Sequence, residues 1–327
     1  MTHLVDCRPG LDRAHPPAGA CDSRAVPRPP HPPALPRLVA TDLDGTLLRS
    51  DGTVSHRTRA ALLAAEEAGV EIVFVTARPP RWLAPLRDVV GGHGRVICLG
   101  GAAVWDLATG RALDVCGFRD DAALALVADL RDAVPDVVLA LERVEGPTFD
   151  PGFRSPGDDA ADPAQADAVR PVEQTLAPPR PAPAPGPVGK ILARRGAAPP
   201  PPDAPATQPV VVAHDEDPGQ ERFFAEVRDV VGDRAHLAYS GAAGLAELLA
   251  PDVTKDVALA RWCTRLGIEA HEVWAFGDMP NDLPMLRWAG RSFAVANAHP
   301  DVHAAANHVT AANDADGVAV ALEAALG

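Results

Sequence analysis

The sequence predicts an α/β protein: a parallel sheet with crossover helices, split by an inserted second α/β domain. Three observations carry this. Short apolar runs alternate with helix-patterned stretches at both ends of the 327-residue chain, the order that parallel strands joined by crossovers require. Three of these runs end directly in polar motifs, and ligands of open parallel sheets bind where the carboxyl ends of strands meet loops. Between about 115 and 238 the texture changes, and the length by itself allows about two domains.

In chain order, residues 1–36 hold nine prolines and no apolar periodicity, so a disordered Pro-rich tail is expected there. Order is expected to begin at Leu38-Val39-Ala40-Thr41, the strand that feeds Asp42-Leu43-Asp44-Gly45-Thr46. Leu62, Leu63 and Ala65 mark a helix over 57–68, stopped by Gly69. Val70–Val75 reads as a strand buried on both faces and ends at Thr76-Ala77-Arg78-Pro79. A helix over about 80–90, a strand over 96–99 and the turn Gly100-Gly101-Ala102 follow.

The insert, 115–238, is expected to hold a helix (120–133) and strands at 137–142, 188–193 and 210–213. These surround a loose acidic and Pro-rich stretch, 155–209; residues 171–209 alone hold thirteen prolines. The outer unit, 37–114 plus 239–327, then resumes with a helix over 255–266, a strand over 273–276, Gly277-Asp278-Met279-Pro280-Asn281-Asp282, a strand over 293–297 and a terminal helix.

Composition narrows the function. Hydrophobic residues make up 47%, enough for a core, and no apolar run approaches the roughly 18 residues of a membrane span. A formal charge of −14 argues against a nucleic-acid binder, which needs a basic face. Five cysteines without paired ligand spacing read as reduced thiols of a cytoplasmic protein. The N-terminal residues lack a charged-then-apolar leader pattern, so no export is expected. Of 30 basic residues only Lys190 and Lys255 are lysines. His299 and His303, four apart, and the five tryptophans are read as surface and core residues respectively.

The chemistry is carried by the strand-end motifs. As neighbours in one sheet they would bring Asp42, Asp44, Asp278 and Asp282 together. Several carboxylates share a small site only if a hard cation offsets them, and Mg²⁺ accepts one or two carboxylates with water and phosphate oxygens. Asp42 and Asp44, at i and i+2, project from the same side of an extended segment, with Gly45 permitting the turn. One could attack phosphorus while the other protonates the leaving oxygen.

These motifs resemble the haloacid dehalogenase-like superfamily of phosphohydrolases, and within it the Cof-like branch with a large α/β cap, over about residues 37–327. The resemblance implies a Rossmann-like catalytic core and Mg²⁺. It implies Asp42 as the nucleophile, Asp44 as general acid/base and Lys255 as the cation that offsets phosphate charge. Thr76, Lys255 and Asn281 would bind the phosphoryl group. Asp42, Asp278 and the backbone carbonyl of Asp44 would take the metal, and Gly45, Ala77, Arg78, Asp282 and Asn297 would lie close by. Lys190 matches a lysine that begins a cap strand.

Departures from the family pattern are Ala77 for a glycine, Gly100 for an asparagine near the substrate, and Asp256 for the glycine after Lys255. The expected activity is a Mg²⁺-dependent phosphatase of small phosphorylated metabolites such as sugar phosphates or phosphorylated cofactors, a monomer or homodimer with neither nucleic-acid nor membrane partner. The alternatives are a phosphomutase of the same superfamily, or a non-catalytic phosphometabolite-binding protein.

Overall fold

The computed structural model describes residues 35–87, 94–153, 168–178, 185–196, 218–239 and 245–327. Its larger sheet is built from β1 (Leu38–Asp42), β2 (Glu71–Val75), β3 (Arg95–Cys98), β4 (Ala103–Asp106), β5 (Arg111–Val115), β11 (Val273–Gly277), β12 (Arg291–Ala294) and β13 (His308–Val309), in the spatial order β13-β12-β11-β1-β2-β3-β4-β5. Strands β13 through β3 pair in parallel, while β4 and β5 run antiparallel at one edge.

Alternation along the strands decides which layer each side chain enters. Val39, Ile72, Phe74, Val96 and Phe276 pack toward α1 (His56–Glu67) and α8 (Gly317–Leu326). Leu38, Ala40, Val73, Val75, Ile97 and Ala275 pack toward α5 (Lys255–Leu266) and α6 (Leu283–Trp288). Because both faces are covered, the strands read as nearly continuous apolar runs, which is why they were visible in the sequence. α7 (Pro300–Ala305) joins the second of these layers through Val302.

The second sheet is antiparallel and comprises β6 (Val137–Arg143), β7 (Gly146–Phe149), β8 (Lys190–Arg195), β9 (His236–Tyr239) and β10 (Ala246–Leu249), ordered β7-β6-β8-β10-β9. One face, with Leu139, Leu141, Ile191, Ala193 and Leu248, packs on α2 (Asp120–Ala133), α3 (Glu173–Leu176) and α4 (Pro218–Val231). Glu142 and Lys190, which are cross-strand partners, lie on the other face. So do Leu192 and Glu247, which are paired in the same way.

The structure corrects several expectations. No helix spans 80–87: the chain makes two short 3₁₀ turns, Pro80–Trp82 and Ala84–Leu86, because prolines at 79, 80 and 85 remove donors and crowd a continuing helix. The expected return to the outer unit at 239 is also too early. β10 lies in the cap sheet, so that sheet runs to Leu249; as a short apolar strand next to the returning core, β10 carries no local mark of which sheet it joins. The strand over 293–297 is instead Arg291–Ala294. Trp82 is 55% exposed rather than packed. The expected tail 1–34 and strand 210–213 lie outside the described residues, and among those that are described no helix is long and apolar enough to cross a membrane.

One glycine locks the start of α5. Gly101 has φ +116°, and a Cβ there would lie 2.3 Å from the Thr254 carbonyl oxygen, one residue before Lys255. Gly101→Ala is expected to cost about 2–3 kcal/mol of unfolding free energy, measured by urea titration; an unchanged midpoint would contradict this packing.

Candidate active site

Register alone assembles the site. Thr41 pairs with Phe276 and Asp42 with Val75, so Asp278 and Thr76 each follow the sheet by one residue on either side of Asp42. β1, β2 and β11 therefore deliver Asp42, Thr76 and Asp278 to one edge. α5 adds Lys255 at its first residue.

The centre is a buried charge network. Lys255 Nζ donates to Asp42 Oδ1 and to Asp282 Oδ1, both at 2.6 Å. Asp282 is 0% exposed, and its other oxygen accepts the backbone N–H groups of Asp278 and Met279, each at 3.1 Å. It thus holds the lysine and folds the Gly277–Asp282 loop at once. Asp278 accepts a 2.8 Å hydrogen bond from Thr46 Oγ1. Gly45, at φ +81°, passes so close that a Cβ would meet Asp278 Oδ2 at 2.3 Å, so only glycine fits this turn.

Electrostatics follow from burial. Desolvation pushes the Asp42 carboxyl well above its ordinary range, and the Lys255 ammonium beside it only partly offsets this. Asp278 is raised to about 6, chiefly by burial, with the Thr46 hydrogen bond opposing and the Asp282 charge adding. Burial would lower Lys255, but the charges of Asp282 and Asp42 outweigh it and hold the ammonium protonated.

Oxygens of Asp42, Asp278 and Asp282 lie within 4.8 Å of one another. Three carboxylates against one ammonium leave two negative charges uncompensated. A hard divalent cation suits that deficit and that all-oxygen donor set. The residues therefore fit Mg²⁺, with Asp42 and Asp278 as the open carboxylates, since Asp282 is engaged by Lys255 and two N–H groups.

The other residues expected at the site are placed as follows. Asp44 is exposed and paired by Arg78, whose Nε lies 2.9 Å from Oδ2 and whose Nη2 reaches Oδ1. Thr76 is buried and its Oγ1 accepts the Arg78 N–H at 3.1 Å. Asn297 donates to the Gly45 carbonyl at 2.8 Å and accepts the Asn313 N–H at 2.9 Å, bracing the first motif's turn. Asn281 is exposed on the Pro280–Asp282 turn, outside the carboxylate–lysine network.

Ala77 costs no strain, because among the described residues only Leu99 and Asp316 combine a side chain with positive φ. Where the family pattern has asparagine, a Cβ on Gly100 would face Leu249 at 3.0 Å. Asp256 is held by the Thr254 hydroxyl at 2.6 Å. Thr46, which holds Asp278, is marked in the sequence only by its place in the first motif.

Comparisons with known proteins identify the family of this chain. A family model described as haloacid dehalogenase-like hydrolase matches residues 39–146 and 203–322. YxeH of Bacillus subtilis (strain 168) is 30% identical over 88% of this chain and 97% of its own. The pyridoxal phosphate phosphatase YbhA of Escherichia coli (strain K12) is 26% identical over 86% of this chain and 96% of its own. Among solved structures, TM0651 from Thermotoga maritima shares the fold with a TM-score of 0.67 at 19% identity, covering 88% of this chain and 97% of that one.

The network makes unequal demands on its carboxylates. Asp282→Ala strips a buried ammonium and two N–H groups of their acceptor and is expected to cost about 3 kcal/mol. Asp44→Ala, at a side chain 57% exposed, is expected to cost under about 1 kcal/mol. Equal losses in chemical denaturation would contradict the assignment.

Proposed function

The chain belongs to the haloacid dehalogenase-like hydrolases, Cof-like branch, and is a phosphatase of that family; we propose that it hydrolyses small phosphorylated metabolites through an aspartyl-phosphate on Asp42, with Mg²⁺ as cofactor. The observation that carries this reading is the buried contact of Lys255 with both Asp42 and Asp282. It keeps one Asp42 oxygen fixed and leaves the carboxylate beside Asp278 and the Thr76 loop.

In the first half-reaction an Asp42 oxygen attacks phosphorus and the bond to the leaving oxygen breaks. Asp44, on the exposed side of the same turn, gives that oxygen its proton. In the second, Asp44 takes a proton from water, water attacks phosphorus, and the Asp42–phosphorus bond breaks to release phosphate. Thr76, Lys255 and Asn281 would hold equatorial phosphoryl oxygens. Mg²⁺, held by Asp42, Asp278 and the Asp44 carbonyl, would neutralise charge on the phosphoryl oxygens. Arg78 holds Asp44 at the mouth, so the acid/base group has a defined position while still reaching solvent.

The substrate class is small phosphorylated metabolites, sugar phosphates or phosphorylated cofactors. Relatives aligned along nearly their whole length support this: one is named for pyridoxal phosphate, and another, YitU of Bacillus subtilis (strain 168), for 5-amino-6-(5-phospho-D-ribitylamino)uracil.

Hydrolysis of 4-nitrophenyl phosphate is expected with Mg²⁺, is lost with a chelator, and falls by roughly 10³-fold or more in Asp42→Asn. Activity that survives both treatments would overturn the mechanism. No turnover on a panel of phosphorylated metabolites would favour a binding protein.

A further inference from the structure

The helix-free face of the cap sheet carries charges that neither the fold nor the reaction above has used. Lys190, Glu142 and Glu247 are each less than 7% exposed. Lys190 Nζ lies 2.7 Å from Glu247 Oε2, and Arg81, from the turn after the Thr76 motif, grips Glu142 with its Nη2 at 2.6 Å from Oε1. Two cations and two carboxylates balance, as buried charges must. Neutralisation alone, however, does not require Lys190 to do what it does next. It leaves its own sheet and donates at 3.0 Å to the carbonyl oxygen of Ala77 in the catalytic core.

That carbonyl is a particular one. Its neighbours in the Thr76–Arg78 loop are met from the core: Thr76 N–H donates to Ile97, the Thr76 carbonyl accepts from Gly100, and the Arg78 carbonyl accepts from Leu99. Only the middle carbonyl of the three is met by the cap. The peptide it belongs to carries the Arg78 N–H, which donates to Thr76 Oγ1 at 3.1 Å. An ammonium on the carbonyl end of a peptide strengthens the N–H at the other end, because hydrogen bonds in series polarise one another. With one lone pair of Thr76 Oγ1 engaged this way, its rotamer is fixed and its O–H is free to donate toward an incoming oxyanion.

We propose that Lys190 is a positioning residue for phosphoryl binding: from the cap, through the Ala77–Arg78 peptide, it sets the Thr76 hydroxyl. The residue touches no substrate. Its effect is confined to the handle common to all phosphate esters, and it makes the aim of that hydroxyl depend on the cap being seated. Glu247 holds the lysine ammonium from the neighbouring strand at 2.7 Å, and the Arg81–Glu142 pair holds the same loop and sheet together a few residues away.

The test rests on the phosphatase reading and separates the two. The double substitution Lys190→Met with Glu247→Leu removes both charges, so no unpaired buried ion remains and the fold is expected to survive; melting and circular dichroism check this. If it does not fold, the same cycle is run with Lys190→Met and Glu247→Gln, which removes both charges with less change in shape. Kinetics on 4-nitrophenyl phosphate with Mg²⁺, and inhibition by inorganic phosphate, are measured for wild type, this variant, Thr76→Val and their combination.

The cap variant is expected to lose ~10-fold or more in kcat/KM with weaker phosphate inhibition, and the combination to be no worse than Thr76→Val alone within ~3-fold, as for groups acting through one atom. Losses that multiply in the combination would overturn the role of Lys190 while leaving the phosphatase intact. A wild-type chain with no turnover would overturn the phosphatase reading itself.

Discussion

The structure depends on one buried ammonium. Lys255 stands at the first residue of α5 and bridges Asp42 at the end of β1 to Asp282 in the loop after β11. Removing three such charges from water is costly, and the pairing repays that only because the geometry is held from several directions. Gly101 fits against the residue before the lysine, Gly45 against Asp278, and two backbone N–H groups occupy the far oxygen of Asp282. Loss of any of these supports is expected to shift the Asp42 carboxylate.

The same network states its own shortage. An acidic chain has gathered three carboxylates around one lysine, and burial pushes Asp42 and Asp278 upward. Burial disfavours these carboxylates as anions, and a divalent cation would stabilise them in that form. The proposed metal and phosphoryl group would meet that deficit at the carboxylate the proposed reaction uses. The cap then closes the polar loop from above, with Lys190 on Ala77 and Arg81 on Glu142.

What was legible in the sequence follows from which signals are local. Runs such as Val70–Val75 and Val273–Phe276 are buried on both faces, so hydrophobicity alone marks them, and α2 and α5 start and stop where the periodicity does. The motif residues Asp42, Thr76 and Asp278 sit directly after such strands, so strand order was enough to bring them together. The scarcity of lysine singled out both Lys190 and Lys255. Long-range facts were not legible. That Asp282 grips Lys255 across 27 residues, and that Lys190 reaches Ala77 across 113, are products of the folded chain. The β4–β5 hairpin and the membership of β10 in the cap sheet are likewise settled by pairing partners rather than by composition. Trp82 misled because an aromatic residue after a motif looks like core, whereas here it lies on the surface with the Arg81 guanidinium 5.0 Å from its ring centroid.

The central claim is that Asp42, fixed by Lys255, takes the phosphoryl group. Borohydride reduces an acyl phosphate to the alcohol, converting a phosphorylated aspartate to homoserine. Quenching the enzyme during turnover with tritiated borohydride and mapping the labelled peptide tests the claim directly. The account predicts homoserine at position 42, dependent on substrate and Mg²⁺. Label at Asp44 or Asp278, or turnover with no label at position 42, would contradict it.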